Sequence, residues 1–291
     1  MRLLVIGASG QVGQALMRVI PRLAPDAAVT GTYRTRPVPG LVPLDAADPA
    51  AVARTIAAAR PDVILLSAAQ ADVEWCETHE PEAREANLVP LKAVLASHVP
   101  VIGFSSDYVF DGRAGPYAED AARAPLSAYG RIKCAVEDET LAAGGAIVRT
   151  TGVFGIELAP GKNFVLRLIA SLRERRAVRV PSDQISTPTF ADDLAAAAYR
   201  IAAPFGPGVW HAGGPEMCSR VELARAVADA FDLDASLVQP VTTRDLGQKA
   251  ARPLVGGLRN LRYRATFGEG PVRPVREALE DMRAALGMMT A

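Results

Sequence analysis

The sequence predicts an α/β fold, a doubly wound parallel sheet joined to a smaller, irregular C-terminal part. Three observations predict it. Over the first 150 residues, short runs that are apolar throughout alternate with longer amphipathic stretches. Strands covered by helices on both faces of a parallel sheet read this way. A glycine-rich segment, with Gly7, Gly10 and Gly13, follows the first apolar run directly. The alternation loosens after Thr150.

Each element has a local cause. Residues 3–6 predict the first strand, 11–20 the first helix and 28–33 the second strand. Asp48 before Pro49 supplies an N-cap acceptor and a ring with pre-set φ, which open a helix running to Ala59. Residues 63–66 predict the third strand, 81–97 a helix and 101–104 the fourth strand. A helix over 126–143 ends at Gly144 and Gly145, and 146–149 form the fifth strand. Right-handed crossovers then wind the sheet both ways. Beyond it, helices are expected over 162–176, 191–202, 219–231 and 275–286, with short strands at 178–180 and 209–211. Residues 1–150 are read as a nucleotide-binding domain, with return elements inside 178–212. Residues 151–291 are read as the substrate-binding part.

Composition removes several function classes. The 291 residues carry 32 Lys plus Arg and 32 Asp plus Glu, a formal net charge of zero. Bulk nucleic-acid binding and polybasic membrane attachment both need uncompensated cations. No apolar run reaches the ~18 residues of a membrane span. The apolar N-terminal stretch is too short for a secretory segment and reads as a strand. Cys76, Cys134 and Cys218 form no CxxC, and His79, His98 and His211 share no ligand spacing, so no metal site is expected. Reduced, scattered thiols fit the cytoplasm.

The stretch Gly7-Ala8-Ser9-Gly10-Gln11-Val12-Gly13 opens the first helix. Glycines let the chain turn tightly and approach a pyrophosphate, which the helix amides then hold. This is the signature of a Rossmann-type dinucleotide site. About 20 residues on, an acid is expected where NAD is bound through its ribose. Here Arg34 and Arg36 stand instead. A guanidinium suits a 2′-phosphate, so NADPH is the expected cofactor and NADH the alternative. Asp45 is placed near the adenine. The GxSxG elbow fails after Ser9, and Gly161-Lys162 lacks the upstream P-loop glycine.

Tyr129 and Lys133 lie four apart on a predicted helix and share a face. A free phenol titrates near 10. A neighbouring ammonium is expected to bring it down, so that it can exchange a proton with a substrate oxygen. With four lysines against 28 arginines, a lysine at this spacing is informative. Ser105-Ser106-Asp107 follows the fourth strand, at the carboxyl edge where ligands bind in open α/β sheets.

These residues resemble the extended short-chain dehydrogenase/reductases, as does Asp192-Asp193. Longer stretches resemble one branch, the dTDP-4-dehydrorhamnose reductases. They are Pro61-Asp62-Val63-Ile64 running toward Ala68-Ala69, Ser105-Ser106-Asp107-Tyr108-Val109-Phe110-Asp111-Gly112, and Tyr129-Gly130-Arg131-Ile132-Lys133. Arg149-Thr150, Asn163-Phe164, Asp183-Gln184, Pro188-Thr189 and Arg252-Pro253-Leu254 complete the match.

The resemblance implies a catalytic triad of Ser106, Tyr129 and Lys133. Cofactor contacts would come from Gly7, Ser9, Gly10, Gln11, Val12, Gly13, Arg34, Asp45, Ala68 and Ala69, with Tyr129 and Lys133. Val73, Asp107, Tyr108 and Asn163 would meet a nucleotide-sugar substrate. Asn87 would support the lysine through water. One departure is Gly152, where the family has a tryptophan against the sugar. Arg252, Arg259 and Arg262 are read first as a solvated basic face and second as diphosphate partners. The implied activity is NADPH-dependent reduction of a nucleotide-linked 4-keto-6-deoxy sugar, and the expected oligomer is a homodimer. The alternatives are an NADP-binding regulatory subunit resembling that of methionine adenosyltransferase, and a nucleotide-sugar epimerase or dehydratase.

Overall fold

The computed structural model describes residues 1–157, 163–268 and 272–290. The strands are β1 (Arg2–Ile6), β2 (Ala28–Tyr33), β3 (Val42–Pro43), β4 (Val63–Leu66), β5 (Val101–Ser106), β6 (Ala146–Thr150), β7 (Val178–Pro181), β8 (Ile185–Ser186), β9 (Gly208–His211), β10 (Cys218–Ser219) and β11 (Val238–Val241). Seven of them make one parallel sheet, in the order β3-β2-β1-β4-β5-β6-β9.

The helices are α1 (Gln11–Leu23), α2 (Pro49–Ala59), α3 (Val73–Thr78), α4 (Glu80–Leu95), α5 (Ala128–Ala142), α6 (Phe164–Arg173), α7 (Ala191–Ala202), α8 (Arg220–Ala230), α9 (Leu261–Phe267) and α10 (Val275–Thr290). The alternation of side chains along β1 explains how both sheet faces are covered. Leu3 and Val5 pack with Leu16 and Ile20 of α1 and Leu194 and Ile201 of α7. Leu4 and Ile6 pack the other way, with Val52 of α2, Leu88 and Leu91 of α4 and Val136 of α5.

The first core is therefore not complete at residue 150. Helix α7, strand β9 with Trp210, and Tyr263 of α9 all belong to it. A second core is built wholly from later residues, including Phe154, Leu168 of α6, Val227 of α8 and Met282 of α10.

Several elements differ from expectation. The helix expected over 81–97 is α4, and a separate short α3 precedes it, opened by the Asp72 carboxylate accepting from Trp75 N at 3.2 Å. The strand expected at 178–180 pairs with β11 instead of joining the main sheet. The helix expected over 162–176 is α6, capped by Asn163; Lys162 lies outside the described residues. Strands β5 and β6 each run further than expected, to Ser106 and Thr150. No described helix is long and apolar enough to cross a membrane.

Candidate active site

Three adjoining compartments run along the carboxyl edge of the sheet. The first has a volume of about 290 Å³ and is lined by Gly7, Ser9, Gly10, Arg34, Asp45, Ala68 and Ala69. The turn from β1 into α1 shapes it. Gly7 has φ +91°, and a Cβ there would stand 2.5 Å from the Ala68 amide nitrogen. A Cβ on Gly13 would stand 2.2 Å from the Gly7 carbonyl oxygen, so Gly13 permits the helix to pack on the strand. Gly10 is the N-cap of α1 and brings no side chain to cap it. The first amides of α1 are thus left to an outside acceptor, and the helix dipole favours an anion there. Arg34 lies just beyond β2, while Arg36 does not line the compartment. This cradle and the arginine at its far end fit a phosphorylated dinucleotide.

The second compartment, about 310 Å³, shares Gly10, Ala68 and Ala69 with the first and adds Gln11, Val12, Asn87, Ser105, Tyr129 and Lys133. Ser127 opens α5 by accepting from Gly130 N at 3.3 Å, which fixes the turn carrying Tyr129. Lys133 Nζ donates to the Phe104 carbonyl at 3.0 Å and sits 5.7 Å from the centre of the Tyr129 ring. Burial pushes the Lys133 ammonium down to about 8, against the opposing fields of Glu137 and Cys76.

The phenol corrects the expectation from sequence. Tyr129 is buried, and burial holds its pKa above the usual tyrosine value. Tyr108, Asp107 and Cys76 push the same way, and the Ser106 hydroxyl opposes them. The lysine ammonium is engaged with a backbone carbonyl, and loss of solvent is the largest influence on the phenol. A phenol in this setting stays protonated at neutral pH, which is the state a proton donor requires.

Ser106 ends β5. Its hydroxyl donates to Asp107 Oδ1 at 3.1 Å and accepts from Tyr108 N at 3.3 Å. Asp107, expected to line the sugar site, lines none of the three compartments. It is buried behind them, accepting from the Thr151 hydroxyl at 2.7 Å and Gly257 N at 3.3 Å. Burial raises its pKa, and these hydrogen bonds partly offset the rise. Its effect is to hold Ser106. Asn87 lines the second compartment together with Lys133, and its amide nitrogen donates to the carbonyls of Ala83 at 2.8 Å and Gln70 at 3.2 Å.

The third compartment, about 320 Å³, meets the second at Gln11, Ala71 and Val153. Val73 and Tyr108 line it as expected. Asn163 lines it too, but its amide is occupied: Oδ1 accepts from Val165 N at 2.9 Å and Nδ2 donates to the Gly155 carbonyl at 2.7 Å. Gly152 is exposed, with φ +54°, and a Cβ there would stand 3.4 Å from Pro188 Cα and 3.5 Å from Ser186 Oγ.

The three candidate arginines separate. Arg252 lines the compartment, its side chain only 12% exposed, so it is not part of a solvated face. It donates to the Tyr108 hydroxyl at 2.9 Å and to Glu74 at 2.6 Å. Arg262 lies elsewhere, stacked 3.8 Å over the Trp210 ring and donating to the carbonyls of Val209 and Pro207. Arg259 lines none of the compartments. Glu74, Thr151 and Arg220 escaped sequence reasoning. Nothing local marks them, because their roles arise where distant segments meet.

A family profile described as RmlD substrate binding domain matches residues 1–288. The dTDP-4-dehydrorhamnose reductase of Streptomyces griseus is 34% identical over 300 residues, covering 98% of this chain and 94% of that protein. The methionine adenosyltransferase 2 subunit beta of Danio rerio is 32% identical over 263 residues, covering 87% of this chain and 80% of that protein. The crystal structure of dTDP-4-dehydrorhamnose reductase from Bacillus anthracis in complex with NADP is similar with a TM-score of 0.87 at 26% identity, covering 98% of this chain and 99% of that one.

Proposed function

This chain belongs to the RmlD substrate binding domain family, and on that premise we propose that it reduces a nucleotide-linked 4-keto-6-deoxyhexose with NADPH, in the manner of a dTDP-4-dehydrorhamnose reductase. The observation that carries the reading is Tyr129. A buried, protonated phenol stands between a dinucleotide cradle on one side and a substrate compartment on the other.

NADPH, when bound, supplies the hydride. The residues of the chain do the rest. The glycine turn and the free amides of α1 take the pyrophosphate, and Arg34 takes the 2′-phosphate. Lys133 holds the nicotinamide ribose hydroxyls. Ser106, whose single hydroxyl proton is given to Asp107 in the free protein, turns it to the keto oxygen when the substrate binds. Tyr129 gives its proton to that oxygen as negative charge develops. Residues 1–150 are assigned to the cofactor and residues 151–291 to the sugar nucleotide, in a protein proposed to act as a homodimer.

The second reading is an NADP-binding regulatory subunit. The likeness to methionine adenosyltransferase 2 subunit beta favours it, and so does Gly152, which brings no side chain to the sugar compartment. The Ser106, Tyr129 and Lys133 set weighs against it. A dehydratase needs an added acid–base pair at the substrate, and Asp107, turned away from the cleft, weighs against that.

The test is an absorbance assay at the reduced nicotinamide band, with purified protein, NADPH and a panel of dTDP-linked 4-keto-6-deoxy sugars. Loss of the band with at least one sugar is expected. Tight NADPH binding with no loss on any of them would shift the assignment to the regulatory reading.

A further inference from the structure

Three guanidinium groups line the third compartment, those of Arg167, Arg220 and Arg252. Their charges are answered unequally. Arg252 has Glu74 at 2.6 Å and the Tyr108 hydroxyl at 2.9 Å. The field of Arg167 acts on Glu157, which lines the same cavity. The Arg220 guanidinium makes no ion pair and no hydrogen bond with any described residue. It is held by stacking, 4.7 Å over the Phe164 ring.

Its placement is rigid. Arg220 is the first residue of α8, whose opening turn is locked by a reciprocal cap. Glu222 N donates to Ser219 Oγ at 3.1 Å, and Ser219 N donates to Glu222 Oε2 at 2.7 Å. Phe164 is the first residue of α6, capped by Asn163. Burial pushes the Arg220 pKa down; Arg252 and Arg167 add to that, while Tyr108 and Asp107 oppose it. A cation removed from water with no counter-charge is costly, and an anionic ligand offsets that cost.

We propose that Arg220 is a specificity-determining residue that recognises the diphosphate of a nucleoside-diphosphate substrate. The inference rests on the nucleotide-sugar reading above. One guanidinium fork engages one phosphate in bidentate fashion. Arg252, after β11, lines the same cavity but has both terminal nitrogens engaged, by Tyr108 and Glu74, so the fork left for a phosphate there is that of Arg220 on α8. The same cavity meets the Tyr129 compartment at Gln11, Ala71 and Val153, so a sugar on the diphosphate extends toward the phenol.

The experiment is calorimetric titration of the full chain with dTDP and with dTMP, for the wild type, Arg220→Gln and Arg220→Lys. NADPH titration checks each variant. The wild type is expected to bind dTDP more tightly than dTMP. Arg220→Gln is expected to weaken dTDP roughly 10- to 100-fold, the effect of one lost charged hydrogen-bonding group, and to leave dTMP and NADPH nearly unchanged. Arg220→Lys keeps the charge without the fork and is expected to fall between them. It decides the matter should the glutamine variant fail to fold. A dTDP-to-dTMP preference equal to the wild type's in a variant that still binds NADPH overturns the proposal, as does equal weakening of both nucleotides. Absence of dTDP binding by the wild type overturns it as well. If dTDP binds through Arg220 while no keto sugar is reduced, the reductase reading fails and this assignment stands.

Discussion

Tyr129→Phe is expected to lower kcat by about 10²- to 10⁴-fold, the usual contribution of a positioned general acid. NADPH binding and KM should stay close to wild type. The substitution removes one oxygen from a buried ring that packs with Cys76, Ala128 and Ile132, so the apolar contacts survive. The proton is lost, together with the hydroxyl's interaction with Ser106. Because burial raises the phenol's pKa, the wild-type acid keeps its proton through and above neutral pH. Lys133 is held near 8, so the reduction rate is expected to fall as pH rises through about 8 and the ammonium is lost. Steady-state kinetics across pH, for both proteins, check these outcomes. A fall in NADPH affinity matching the fall in kcat would instead mark Tyr129 as a packing residue.

Glu137→Ala is expected to cost about 3–5 kcal/mol of folding stability, the penalty for stranding a buried charge. That is a large fraction of the roughly 5–15 kcal/mol that a domain commands. Glu137 is fully buried on α5 and accepts from Arg149 of β6 at 2.8 and 2.7 Å. Arg123 reaches the same carboxylate at 3.2 Å. Without Glu137, the Arg149 guanidinium keeps, among the described residues, the Glu119 carbonyl at 3.2 Å, His211 at 3.3 Å and the Phe110 ring 5.1 Å away, none of them an anion. Burial and the Arg149 charge push His211 down to about 3, so it is neutral and adds no second positive charge, but an imidazole offers Arg149 a lone pair and never a counter-charge. Urea unfolding followed by circular dichroism gives the answer as a lower midpoint. The double variant Glu137→Met with Arg149→Met should lose less than the single one, because no charge is stranded. A single variant as stable as the wild type would contradict the buried pair. Glu137 stands one helical turn from Lys133 and acts on its ammonium, so the same change should reach the active site.

What could be read from sequence was local or periodic. The strands β1 and β4 are apolar at nearly every position because helices cover both faces, and that pattern survives without knowledge of the fold. The glycines of the β1–α1 turn are legible because backbone approach excludes side chains at fixed spacing. Tyr129 and Lys133 are legible because four residues make about one helical turn.

What could not be read depended on distant segments meeting. Helix α3 has six residues, too few for a periodic signal, yet it brings Glu74 to Arg252. Strand β7 finds β11 across about 60 residues of chain. Asp107 follows directly on the serines that end β5, but only the contacts of Thr151 and Gly257 show that its carboxylate turns away from the cleft. Arg220 is one of 28 arginines until α6 sets Phe164 beneath it. The phenol's pKa went the other way from expectation for the same reason: burial is a property of the assembled core, while the lysine's spacing is a property of one helix.

The most direct measurement follows deuterium from C4 of labelled NADPH, by mass spectrometry and NMR of the sugar nucleotide. With wild-type protein and a dTDP-linked 4-keto-6-deoxyhexose, the product is expected to carry a single deuterium at sugar C4, formed at a rate that Tyr129→Phe sharply reduces. Unlabelled, unreduced sugar recovered from protein that binds both NADPH and the nucleotide sugar would contradict hydride transfer at this site.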